Sequence, residues 1–250
     1  MPRGKKILAG VYFVLRVSVI FVMVAQAYNR DYNSVFMCIL TLILFLIPSF
    51  VEKRIKIDVP DTFEIIILLF IFSAEILGEI REYYLKFSYW DTILHTINGF
   101  LMAAIGFSLI DILNRSEKFS ISLSPIFVAL VSICFSMTIG VLWEFFEFGM
   151  DWFFARDMQK DRIIMQITSV MLNPDGVNTP VTIPVESVVI NGERWVGYLD
   201  IGLIDTMKDL LVNFAGAVIF SVLGMFSIRW RTKFQKGFVL TSMNPETMDN

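Results

Sequence analysis

Histidine occurs once in these 250 residues, at His95, so no metal site built mainly from imidazoles is available. Cysteine occurs twice, at Cys38 and Cys134, and both fall inside apolar runs. There they read as small apolar residues and exclude a disulfide framework or a thiolate metal site. Charged residues make up only 18% of the chain, against about 25% in a soluble average. There is no internal repeat, no Gly-rich phosphate loop and no coiled-coil heptad. Nothing points to nucleic acid as a partner.

What is abundant is apolar surface. Apolar residues reach 56%, with 24 Phe, and the mean hydropathy is +0.65. Several runs approach the roughly 20 residues that cross a bilayer as a helix. Every spanning segment must satisfy its own backbone, and these runs are too long for barrel strands. The fold class is therefore an all-α polytopic membrane protein with six transmembrane helices and the bilayer as its first partner. The expected spans are 7–27, 34–51, 62–80, 92–113, 124–143 and 203–228. The fifth helix is expected to continue past the membrane to Phe154.

The first span follows Arg3, Lys5 and Lys6 and ends on Ala25-Gln26-Ala27, which has the form of a secretory leader. Its length and the internal Arg16 favour an uncleaved span. Lys and Arg set the orientation. With the N-terminus in the cytoplasm, short cytoplasmic segments hold twelve of them and the short opposite segments three. Both termini are then cytoplasmic and the 155–202 loop is extracytoplasmic. One membrane domain covers 1–228, followed by a polar tail over 229–250. In the loop, 161–172 is expected to be a short amphipathic helix and Asn173-Pro-Asp-Gly176 a turn. The runs 181–190 and 194–199 are expected to form a β-hairpin across Asn191-Gly192.

With this topology the unusual polar residues fall at one depth, near the extracytoplasmic surface. Glu75 and Glu79 end the third span. Asp91 and His95, four apart, begin the fourth. Glu144, Glu147 and Asp151 share one helical face at the end of the fifth. Asp205, Asp209 and Asn213 share a face at the start of the sixth. Acids facing lipid are costly, so these stripes are expected to face inward. Carboxylates that close must hold protons or share a cation. Hard oxygen ligands suit Mg²⁺, Ca²⁺ or Mn²⁺, and one added imidazole also admits Zn²⁺ or Fe²⁺. The expected ligands are Glu144, Glu147, Asp151, Asp205, Asp209 and His95. His95, oriented by Asp91, or Glu144 would serve as the base toward a metal-bound water. The bland alternative is wet interfacial carboxylates and a structural histidine. Arg16 is expected to pair with Glu75, while Glu64 and Asp111 are expected to be solvated.

These residues also carry a resemblance. Asp91-Thr-Ile-Leu-His95, Glu144-Phe-Phe-Glu147 and Asp209-Leu-Leu-Val-Asn213-Phe-Ala-Gly216 resemble the short motifs of VanZ-like membrane proteins, with Glu147 where those have Gln. The longer pattern is similar to the YjdF-type family of inner-membrane proteins, over about residues 89–225. The resemblance implies a multispan fold in a bacterial inner membrane, and for VanZ-like proteins a link to glycopeptide resistance. Three functions follow. One is a metal-dependent enzyme acting on a lipid or cell-envelope precursor. Another is an envelope protein with a structural cation site. The third is an ion-coupled transporter, which a continuous polar path to the cytoplasmic side would favour.

Overall fold

Among the described residues, eight α-helices account for most of the architecture. The computed structural model describes residues 3–55, 57–114, 123–230 and 237–242. The helices are α1 (Arg3–Tyr28), α2 (Tyr32–Leu44), α3 (Ile47–Ile55), α4 (Asp61–Phe72), α5 (Tyr83–Lys86), α6 (Trp90–Asn114), α7 (Pro125–Phe154) and α8 (Leu203–Trp230). Among the described residues, five helical stretches are long and apolar enough to cross a membrane: 4–28, 32–54, 90–114, 125–154 and 203–227. The chain divides into two compact units. One comprises 1–140 with 212–250, the other 141–211. Both α7 and α8 run unbroken through the division.

Two of the expected spans are interrupted for local reasons. Between α2 and α3 the chain makes a tight turn at Phe45–Leu46, where the Leu46 N–H reaches back only to Ile43. Pro48 has no N–H to continue the ladder, so a new helix starts there. The third expected span, 62–80, is α4 followed by a π-helical segment, Ser73–Ile80. Neither piece is long enough alone to count as a spanning α-helix. The wider π turn leaves carbonyls out of the α ladder, and the Trp90 indole N–H donates to one of them, Ser73, at 3.3 Å.

In the first unit, one core joins α1, α2, α4 and the π segment through Leu15, Val19, Cys38, Phe45, Leu68 and Ile76. A second joins α4, α6, α7 and α8 around Phe63, Leu101, Phe107, Val128 and Phe220. Part of the C-terminal tail belongs to this second core. Val239 and Leu240 are buried, the Leu240 N–H donates to Ser108 at 2.9 Å, and β8 (Thr241–Ser242) pairs with β1 (Ile57–Asp58). The rest of the tail lies outside the described residues.

Three expectations about charged side chains need correction. Glu64 is 4% exposed and accepts a 2.5 Å hydrogen bond from the Tyr12 hydroxyl, so it is not solvated. Asp111 is buried as well. No ion pair joins Arg16 to Glu75 among the described residues. Instead the Arg16 guanidinium lies 4.8 Å over the Tyr12 ring. The Tyr12–Glu64 bond fixes the register between the helices. Arg16 lies four residues beyond it, about 6 Å, and Glu75 eleven beyond, about 16 Å, which leaves the charges about 10 Å apart along the axis.

The second unit holds the ends of α7 and α8 and the loop between them. The expected helix over 161–172 is not formed. That segment is β2 (Ile163–Ile164), β3 (Gln166–Ser169) and a single 3₁₀ turn, Val170–Leu172. Its β-branched residues take cross-strand partners instead. β2 pairs with β7 (Tyr198–Leu199), and β3 pairs with β4 (Val181–Pro184). The expected hairpin across Asn191-Gly192 is present only next to its turn, as β5 (Val188–Ile190) and β6 (Glu193–Trp195), because the outer parts of both runs pair with β3 and β2 instead. Both turn residues have positive φ, 52° and 89°, which suits a two-residue hairpin turn. The Asn173–Gly176 turn also forms, closed by the Gly176 N–H on the Asn173 carbonyl.

Candidate functional site

Two glycines decide how closely α6 approaches α8. A Cβ on Gly99 would overlap the Asn213 carbonyl, and a Cβ on Gly216 would overlap that of Thr96. The backbones therefore touch, as small residues permit between membrane helices. In this contact Asn213 is 1% exposed. Its Oδ1 accepts from the Asn98 amide at 3.1 Å, and its Nδ2 donates to the Ser136 carbonyl at 3.4 Å. The Ser136 hydroxyl donates in turn to the Gly99 carbonyl at 2.9 Å. Gly140 belongs to the same junction, since a Cβ there would stand 2.9 Å from Asn213 Nδ2. A buried amide on one helix whose hydrogen bonds are met on two others fixes the register of all three.

The buried stripe of α7 can be followed along the helix. Val128, Ser132, Ser136, Gly140, Glu144 and Glu147 are buried at spacings of three and four. The stripe is small and polar, and it becomes acidic one turn beyond Gly140. On α8 the stripe reads Asp205, Asp209, Asn213 and Gly216. On α6, Asp91 and His95 precede Asn98, and His95 Nε2 lies 3.4 Å from Asp91 Oδ1. The expected pair of α6 is therefore formed, with the His95 side chain 11% exposed. Glu75 is partly buried, with its Oε2 shielded and without a hydrogen-bond partner among the described residues, whereas Glu79 is exposed.

The acids of the second unit divide into two kinds. Glu144 is 4% exposed and Asp209 1%. Glu147 is buried and accepts from the Trp143 indole at 2.8 Å, and Lys208 Nζ lies 3.7 Å from Asp209. The second kind binds backbone. Asp151 accepts the Met158 and Gln159 N–H groups at 2.6 and 2.8 Å. Asp205 accepts the Lys160 N–H at 2.9 Å. Asp200 accepts the Arg162 N–H at 2.6 Å and the Ile204 N–H at 2.9 Å. These three carboxylates bind the start of the loop to the ends of α7 and α8. Asp200 carries a role that sequence reasoning missed. Its signal was an aspartate just before a helix start, the usual place for a capping acceptor.

The family model described as "Predicted membrane protein (DUF2238)" matches residues 10–230. The chain belongs to the DUF2238 family. No curated protein and no solved structure matches it. The matched range of this DUF2238 protein takes in every candidate residue from Arg16 to Asn213. A VanZ-like relationship is not shown by this match.

The loop anchor of this DUF2238 protein is expected to weaken in acid. Burial alone would raise the Asp200 pKa, but the N–H groups of Arg162, Ile204 and Gly202 outweigh it and hold the carboxyl below the ordinary aspartate value. A depressed folded pKa stabilises above the unfolded value, near 4, and that contribution is lost as pH falls through the folded value. Asp161 has the opposite sign. Its burial and the charges of Asp157, Asp200 and Asp151 raise its pKa, so acid relieves it. Amide exchange at Arg162 and Ile204 is expected to speed up below about pH 4 beyond the intrinsic pH effect. In Asp200→Asn it should be fast already at neutral pH, with this acid limb flattened.

Proposed function

We propose that this integral membrane protein holds one divalent cation at the extracytoplasmic ends of α6, α7 and α8, with His95, Glu144, Glu147 and Asp209 as its ligands. The observation that carries the reading is the Asn98–Asn213–Gly140 junction. His95 precedes Asn98 by three residues, Asp209 precedes Asn213 by four, and Glu144 follows Gly140 by four. One turn beyond a contact where three helices meet around the Asn213 side chain, each helix carries a ligand on its buried face. Buried acids at such spacing need a cation or protons to persist. Asp91 would orient the His95 ring through Nε2. Asp151 and Asp205, taken up by backbone N–H groups, would instead shape the surroundings.

The enzyme reading places a lipid or cell-envelope precursor at this site. The cation would polarise a phosphoryl or carbonyl oxygen and acidify bound water, and Glu144 or His95 would take the proton. A second reading, a structural cation, gains support from the loop anchor, where carboxylates at the same helix ends already serve folding. The YjdF-type likeness fits the DUF2238 match and points to a bacterial inner membrane, and the Lys and Arg distribution supports both termini in the cytoplasm.

Elemental analysis of purified protein tests the shared premise. Wild type should carry about one divalent metal per chain, and Glu144→Ala and Asp209→Ala should each lose at least about tenfold in affinity, since loss of even a group that only supports a ligand costs about 10–100-fold. Stoichiometric metal in both variants, or none in wild type, would end the proposal.

A further inference from the structure

The surface of the 155–202 loop does not resemble a water-facing one. Near the helix ends it exposes Ile163, Met165, Trp195, Val196 and Ile201, with Val196 at 66% and Ile201 at 74%. Ile163 in β2 and Met165 in the bend just after it converge over Gly197, where a Cβ would meet both. The β2–β7 rung carries this patch at the base of the loop, next to the residues held by Asp200 and Asp205.

The helix beneath says what covers it. With 30 residues, α7 is about 45 Å long, the full thickness of a bilayer with its headgroups. Its last residues, Trp152, Phe153 and Phe154, are exposed and apolar. The lipid-facing surface of α7 thus runs up to the headgroup boundary, and the loop begins there. The apolar base of the loop continues that surface within the same compact unit.

We propose that the base of the 155–202 loop rests in the headgroup region of the membrane, with Met165, Val196 and Ile201 dipping toward the acyl chains, and that the loop is a membrane-surface element rather than a free aqueous domain. Trp195 and Tyr198 are the amphipathic rings that such a depth favours. The tether makes the contact inexpensive in entropy, because both ends of the loop are already fixed at the interface. This inference is independent of the cation proposal.

Nitroxide labels at Met165→Cys, Val196→Cys and Ile201→Cys, in a Cys38→Ala/Cys134→Ala background reconstituted in phosphatidylcholine bilayers, test it. All three are surface positions. Collision with dissolved oxygen should exceed collision with a water-soluble nickel chelate several-fold at these sites, with the reverse at Asp175→Cys and Glu193→Cys. Nickel-weighted collision at every site would overturn the proposal and show a loop in water. Low collision with both reagents would overturn it too and show a protein cover such as a second copy. Brominated phosphatidylcholine gives the same answer with the native cysteines. Wild-type emission should be quenched more than that of Trp195→Phe, and equal quenching would count against the contact.

Discussion

Alanine at Gly99 or Gly216 is expected to destabilise the protein by about 3 kcal/mol, the upper part of the usual range for overpacking. The reason lies in what the new methyl meets. At both positions it is the backbone carbonyl of the facing helix, and a carbonyl cannot swing aside as a side chain can. The helices must separate along the contact. The Asn98–Asn213 and Asn213–Ser136 hydrogen bonds then lengthen, leaving a buried amide unmet at further cost. For a chain of this size that is a fall in Tm of roughly 6–12 °C. Gly10 supplies the control, because nothing lies within 4 Å of its Cβ position. Gly10→Ala should leave Tm unchanged or slightly raised. Equal Tm for all three variants would mean that α6 and α8 do not pack as described.

Asp151→Ala carries the second large effect. It removes the acceptor of two N–H groups, each bonded to a charged oxygen, for a loss of about 3 kcal/mol. The loss is local, so it should appear as exchange at Met158 and Gln159 faster by roughly 100-fold, with global unfolding little changed. The same variant separates two roles for this acid. If Asp151 anchors the loop, bound metal is retained while exchange rises. If it is a ligand, metal is lost and the exchange change follows only from that loss. The sequence spacing favoured the ligand role, because 144, 147 and 151 share a face. Spacing could not show that the chain doubles back and brings its own amides to Asp151.

The same limit explains what else was and was not legible. The long α7, running on to Phe154, was readable because its apolar period never breaks before Ala155. The Asn191-Gly192 turn was readable because two residues suffice to specify it. The strand at 166–169 was not, since Gln-Ile-Thr-Ser commits to strand only once 181–184 lies beside it. Burial of Glu64 and the return of Leu240 to Ser108 depend on partners 52 and 132 residues away. The candidate site was legible as stripes on separate helices. The junction residue Asn213 appeared in sequence only as a supporting polar group, although its hydrogen bonds set the register.

Pulsed EPR of the protein loaded with Mn²⁺ is the most direct test of the cation site. One bound ion per chain should show nitrogen coupling from a single imidazole. That coupling should vanish in His95→Gln while the ion itself remains on its carboxylates. Mn²⁺ that is absent, or that shows only water ligands, would contradict a site shared by His95, Glu144, Glu147 and Asp209.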